Sequence, residues 1–256
     1  MFRIDLNSDL GEGLGHYSAG TDEEIISLIT SANIACGYHA GDPLIMEQTV
    51  ELCKKYGVGI GAHPSFPDLM GFGRRNMSVS TKEAKLYIQY QLGALMAISA
   101  SKGMKISHLK PHGAMYNMAA KDNVLAEAIA EAVSEVDESI ILVGLSGSEM
   151  IKAGKKFGLI TANEVFADRA YNSDGFLVSR TLPHSVIHLP EEACSRMVNL
   201  IKTGTIRSID GKEIRIDADT ICVHSDTPSA KTLVENLHKE FTANGIKVTK
   251  LTELIK

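Results

Sequence analysis

Short apolar runs that close on polar or charged residues alternate along this chain with longer stretches of helical periodicity. The runs are Phe2-Arg3-Ile4-Asp5-Leu6-Asn7-Ser8-Asp9, Asn33 to His39, Val58 to His63, Ile106 to His112, one ending Ala162-Asn163-Glu164, and Thr220 to Asp226. They are rich in Ile, Val, Leu and Ala and mostly lack clean alternation, as strands of a buried parallel sheet do. Start and stop signals predict the helices between them. Thr21-Asp22-Glu23-Glu24 opens the first, and Asp42-Pro43 opens a second that stops at Tyr56-Gly57. Ser80-Thr81-Lys82-Glu83 opens a long third helix ending at Lys102-Gly103; a fourth runs from Asp122 to Val136, and a fifth from Ser146 to Phe157-Gly158. Pro190-Glu191-Glu192 starts a sixth, and Thr227-Pro228 a last one that stops at Asn244-Gly245. Polar N-caps, Pro at the first turn and Gly past the end carry these boundaries. The stretch from Thr205 to Asp219 breaks the rhythm and predicts a small hairpin across Asp210-Gly211.

About seven strand–helix units predict an α/β class, with a single (β/α) barrel over residues 1–256. In such a barrel the carboxyl ends of all strands open onto one face, where the chemistry sits. The polar strand endings therefore predict the position of the active site as well as the fold.

Composition narrows the partners. A net charge of −5 with interspersed signs, and no basic cluster with interleaved aromatics, argues against nucleic acid. No apolar run is long enough to span a bilayer, and the N-terminus enters strand-like sequence without a leader, so a cytoplasmic protein is expected. Cys36, Cys53, Cys194 and Cys222 form no C-x-x-C pair and read as small buried residues.

The first strand puts Asp5, Asn7 and Asp9 on one side, toward the barrel axis or its mouth, with Glu12 just beyond. Charges aimed into a barrel are costly unless paired or liganded, which favours a functional reading over an acidic turn. Asn33 and His39, His63, Lys110 and His112, Glu164, and His224 arrive from further strand ends. Asp42 reads mainly as a helix cap. Arg74 and Arg75 follow a Gly/Pro-rich loop and suit capture of a carboxylate or phosphate, with a rim salt bridge to Asp68 as the alternative, more so for Arg75. Asp168 and Arg169 pair acid with base again beyond Glu164. Lys110 stabilises an oxyanion or acts as a base of lowered pKa. Asp9, His39, His63, Lys110, His112, Glu164 and His224 form the expected catalytic set, and Asn7, Glu12, Asn33, Arg74, Asp168, Arg169 and Asp226 the expected substrate-binding set. Asp9, His39 and His63 are the candidate ligands if a divalent metal is bound, an option disfavoured by the nearby Lys and Arg. His108, His188 and His238 read as structural or surface residues. Neither a P-loop nor a G-x-S-x-G elbow is present. Charged groups at a barrel mouth are expected to add little to stability.

These motifs together resemble the LamB/YcsF family of lactam-utilisation proteins. The matching text is Asp5-Leu6-Asn7-x-Asp9-Leu10-Gly11-Glu12, Ser31 to Pro43, Gly61-Ala62-His63-Pro64, Gly71 to Arg75, Lys110 to Ala114, Glu164 to Tyr171, and Cys222-Val223-His224. The resemblance implies a seven-stranded barrel similar to the sugar deacetylases, and ATP-dependent opening of 5-oxoproline to glutamate with B and C subunits. It implies ATP as co-substrate, handled with those partners and with Mg; homo-oligomerisation is compatible with the sequence. Two other readings fit the same residues: a non-catalytic subunit that binds substrate or organises the complex, and a metal-dependent amide hydrolase or deacetylase. Ser65, Ser225 and His184 stand where the family usually has Gly, and Ser179 where it has Pro.

Overall fold

A computed structural model of the protein describes residues 1–17, 22–223 and 230–255. The strands of the closed sheet are β1 (Phe2–Leu10), β2 (Ser31–Ala35), β3 (Gly59–His63), β4 (Ile106–Leu109), β5 (Ile141–Leu145), β6 (Thr161–Phe166) and β9 (Thr220–Cys222). All pair in parallel in that order, and β9 returns to β1, so seven strands close into a barrel. A further strand, β10 (Ile246–Val248), pairs with the start of β1. The expected hairpin is present as the antiparallel pair β7 (Thr205–Arg207) and β8 (Glu213–Arg215), which forms its own small sheet.

The helices obey their predicted caps. In α2 (Pro43–Tyr56), the Asp42 carboxylate accepts from the amides of Leu44 and Ile45, and Gly57 closes the end in the left-handed region. Ser80 and Glu83 form a reciprocal capping box at the start of α3 (Thr81–Ser101). Next come α5 (Asn123–Val136), α6 (Glu149–Lys156), α7 (Pro190–Thr203) and α8 (Ala230–Ala243). The first helix, α1 (Asp22–Ile25), has only four residues, and its expected cap Thr21 lies outside the described residues, as does the expected start of α8 at Thr227-Pro228. A short helix, α4 (Gly113–Ala119), follows His112 directly, and α9 (Leu251–Leu254) follows β10; neither was expected. The fifth helix was expected from Ser146 but begins at Glu149, because Ser146, Gly147 and Ser148 turn first.

Alternation along β1 divides apolar from polar packing. Ile4, Leu6 and Leu10 point outward into apolar clusters shared with the surrounding helices, while Asp5, Asn7 and Asp9 point into the barrel. On the β1 to β4 side the barrel interior is thus a stack of polar residues, while Ile141, Val143 and Ala162 fill the β5–β6 side with Leu251. At its base Asp5 accepts from the hydroxyls of Thr30, Ser31 and Thr220, at 2.8, 2.7 and 2.5 Å. Burial pushes the Asp5 carboxyl up to about 6. One layer higher, Asn33 donates to Asn7 at 2.8 Å, and Asn7 donates to Thr220 at 2.7 Å. His108 meets Asn33 Oδ1 at 2.9 Å and Ser107 at 2.8 Å, fully buried and pushed down to about 3 by that burial. Gly61 makes room for its ring: a Cβ there would lie 2.1 Å from His108 Nε2. His108 is structural, as expected, but it sits in the barrel axis.

Candidate active site

The uppermost layer opens into a cavity of about 810 Å³ at the carboxyl ends of the strands. Asp9, Glu12, His63, Lys110 and His112 form its polar floor, and Arg74 and Arg169 line its walls. Lys110 leaves the end of β4 and turns inward. Its Nζ lies 2.9 Å from Asp9 Oδ1 and 2.8 Å from Glu164 Oε1, with Cys222 Sγ at 3.2 Å. Burial alone would pull the Lys110 ammonium down, but Asp9, Cys222 and Glu164 outweigh it and hold the pKa well above its ordinary value. Lys110 is therefore a fixed cation, which removes the alternative of a base with lowered pKa. Tyr116, buried beside Glu164, has its phenol pushed far up by burial and by that carboxylate.

The second half of the floor is a histidine cluster. His63 donates from Nδ1 to the Lys110 carbonyl at 2.7 Å, which turns its Nε2 toward Asp9 Oδ2 (3.3 Å) and His112 Nδ1 (3.0 Å). His112 donates from Nε2 to the Phe72 carbonyl at 2.9 Å. His39 stacks on His112 with ring centroids 3.8 Å apart, and its Nε2 lies 3.2 Å from Glu12 Oε1. His112 Nδ1 lies 3.3 Å from the same oxygen. Burial pushes His39 down to about 3, aided by His112, and lowers His112 as well. For Glu12 burial acts upward, but the His112 and His39 nitrogens beside it prevail and hold its carboxyl below the usual range.

Backbone geometry serves the cluster. Phe72 has φ +53, a left-handed conformation uncommon for a bulky residue, and it presents both its carbonyl and its ring to His112. Gly73 follows at φ +63, where a Cβ would meet Ser65 Oγ at 2.3 Å and both His112 and His39 at 2.8 Å. Ser65, one of the departures from the family pattern, is thus packed under the loop. His184, another departure, carries φ +60, a region that favours glycine.

Each expected site residue among the described ones has a definite place. Asp9, Glu12, His63, Arg74, Lys110, His112 and Arg169 line the cavity, with His39 buried against the cluster and Glu164 beneath Lys110. Asn7 and Asn33 lie one layer lower and do not line it; Asn33 donates to Asp9 Oδ1 at 2.9 Å. Asp168 is buried outside the cavity lining. Arg169 donates to the carbonyls of Val178 and Ser185, fastening the 178–185 segment over the cavity. Arg75 takes the salt-bridge reading: it pairs with buried Asp68 and leaves Arg74 at the cavity. His224 and Asp226 lie outside the described residues. The set whose donor atoms could hold a metal is Glu12, His39, His63 and His112, all within 4.8 Å of one another. His39 and His63 were expected there; Asp9 gives way because Lys110 and Asn33 hold its Oδ1, and Glu12 and His112 take its place. Phe72, Tyr116 and Arg180 were missed, since Phe72 and Arg180 lie in loops and Tyr116 in the unexpected helix α4, none with a strand-end signature; all three adjoin or line the site.

A parallel β/α barrel with a buried histidine–carboxylate floor and a fixed ammonium defines a class of pocket suited to acyl chemistry on a small polar substrate. The chain belongs to the LamB/YcsF family, whose sequence model matches residues 4–256. A protein of Alkaliphilus metalliredigens, named as the A subunit of 5-oxoprolinase, is 54% identical over 256 residues, covering 100% of both chains. One of the same name from Campylobacter jejuni is 57% identical over 244 residues, covering 94% of this chain and 96% of its own. The crystal structure of a lactam utilization protein from Thermus thermophilus superposes with a TM-score of 0.92 at 41% identity, covering 96% of this chain and 98% of that one.

Proposed function

We propose that this chain is the A subunit of an ATP-dependent 5-oxoprolinase and contributes the site where the cyclic amide C–N bond opens to give glutamate. The observation that carries the reading is the match, over full length and above half identity, to proteins that bear the name of that subunit. The cavity supports it chemically. A five-membered lactam is an unstrained, stable amide, so ring opening needs its carbonyl activated, and phosphorylation of the oxygen by ATP would do this. Activation falls to partner B and C subunits with Mg-bound ATP, because this sequence carries no P-loop. Water adds to the ring carbon, the C–N bond breaks as the nitrogen takes a proton, and the acyl phosphate that remains is hydrolysed to glutamate and phosphate; in this chain Lys110 offers positive charge to the phosphoryl-bearing oxygen. The floor built from Glu12, His63 and His112, with the tautomer of His63 set by the Lys110 carbonyl, holds and activates the attacking water. Arg74 is placed to receive the substrate carboxylate. Among the described residues no helix is long and apolar enough to cross a membrane.

The test is reconstitution. The chain mixed with its B and C partners should convert 5-oxoproline to glutamate with ATP consumption, and the chain alone should give negligible turnover. His63→Ala should lower turnover of the assembly by about a hundredfold. An assembly that consumes ATP and 5-oxoproline equally well without this chain, or with His63→Ala in it, overturns the assignment.

A further inference from the structure

Proton counting in the histidine cluster exposes a missing positive charge. His63 Nδ1 and His112 Nε2 each donate to a backbone carbonyl, at 2.7 and 2.9 Å. A neutral imidazole carries one N–H, so the remaining nitrogen of each ring is a bare acceptor. Those two nitrogens, His63 Nε2 and His112 Nδ1, face one another at 3.0 Å with nothing to donate between them. Glu12 Oε1, an acceptor when ionised, lies 3.3 Å from the same His112 Nδ1 and 3.2 Å from His39 Nε2. His39, whose Nδ1 has no partner, can donate from Nε2 to Glu12, but neutral rings leave no donor between His63 and His112 or between His112 and Glu12, a buried meeting of acceptors that is repulsive unless a cation sits among them.

We propose that Glu12, His39, His63 and His112 bind one divalent transition-metal ion of the zinc class. Three observations carry this. First, donors about 2.0 to 2.1 Å from a tetrahedral ion lie roughly 3.3 Å apart; three of the six separations here are 3.0, 3.2 and 3.3 Å, and all six are within 4.8 Å, close enough for one ion to draw the donors in. Second, His63 and His112 are each held from behind by a backbone carbonyl, the arrangement that fixes the tautomer and ring direction of metal-binding histidines. Third, the nearby Lys110 does not oppose a cation, because Asp9 and Glu164 already compensate its charge. Three imidazoles and one carboxylate select zinc, iron, cobalt or nickel over magnesium or calcium, which prefer all-oxygen shells. This site is independent of the 5-oxoprolinase reading, since the ion is called for by the side chains whatever the substrate.

The experiment is metal analysis of the full chain, stripped with chelator and then reloaded with Zn²⁺ or Co²⁺ and desalted. One ion per chain is expected, with visible ligand-field bands of low-coordinate Co²⁺ and a rise in melting temperature on loading. Glu12→Ala and His39→Ala should each lose stoichiometric binding and the cobalt spectrum while keeping a native circular dichroism spectrum. Wild-type protein settles the matter even where a variant does not fold. Folded wild type that retains no ion after loading overturns the proposal in favour of an extra proton on one imidazole, which histidine nitrogen NMR would display. Retention of one ion with an unchanged cobalt spectrum by folded Glu12→Ala and His39→Ala would place the metal elsewhere and overturn it equally. Either result is read without substrate, so it is separable from failure of the ring-opening assay.

Discussion

Replacing Lys110 with methionine removes a charge but little volume, and the structure sets the cost. The ammonium is almost fully buried between two carboxylate oxygens, at 2.9 Å from Asp9 and 2.8 Å from Glu164. Each contact is worth about 6 kcal/mol of gross attraction at an effective dielectric of 20, set against the desolvation of three charges. Breaking a buried pair by removing one partner typically costs about 3–5 kcal/mol, because the charge left behind stays buried. At roughly 2–4 °C per kcal/mol for a chain of this size, the melting temperature should fall by about 6–20 °C. Urea melts followed by circular dichroism measure this. A deficit under about 1 kcal/mol would refute the idea that a paired, charged Lys110 holds the floor together.

Two other perturbations probe the barrel interior. Gly61→Ala places a Cβ 2.1 Å from His108 Nε2, so the ring must move and leave Asn33; a loss of about 1–3 kcal/mol is expected in denaturant melts, and a neutral result would contradict the placement of His108. Asp5, pushed up to about 6 by burial, contributes stability that is complete below its unfolded value and lost as pH rises through about 6. The stability of Asp5→Asn minus that of wild type should therefore rise by up to about 3 kcal/mol between pH 4 and 7, and a difference that falls over that range would show Asp5 to be stabilised as the anion.

Much of this site was legible because barrel strands carry their chemistry at fixed register. Asp5, Asn7 and Asp9 alternate along β1, and alternation alone sends them to one side. His63, Lys110 and His112 follow strand ends, which put them at one mouth. Depth was not legible. Asn7, Asn33 and Glu164 read as mouth residues, yet the first two sit a layer below the cavity and Glu164 is wholly buried under Lys110. Period-2 patterning gives the face of a strand and not the height along the barrel axis, which depends on the stagger between neighbours. The irregular register of β3 with β4 at Ile60 and Gly61 is part of that stagger and has no local sequence signal. The grouping of Glu12 with three histidines was hidden for a related reason, because Glu12 and His39 come from loops whose approach is set by backbone. Gly41, at φ +80, would carry a Cβ 2.9 Å from the Ala35 carbonyl, so only glycine lets those loops meet.

The depth of the polar stack changes what the site residues do for the fold. Charged groups at an open mouth would be expected to serve chemistry and add little to stability. Here much of the barrel axis is filled by hydrogen-bonded Asp5, Asn7, Asn33 and His108 and by the Lys110 ion pairs, with a small apolar cluster of Ile141, Val143 and Ala162 beside them, while most of the apolar packing lies outside, between strands and helices. Such an interior holds only if each member is satisfied, since a half-satisfied buried network is worse than an apolar one. The same network fixes the site: Asn33 and Lys110 hold Asp9 Oδ1, and the Lys110 carbonyl sets the tautomer of His63. Stability and positioning are therefore two readouts of the same hydrogen bonds. A substitution low in the stack, such as Gly61→Ala, should disturb the orientation of His63 through Asn33 and Asp9 without touching substrate, in proportion to the stability it removes.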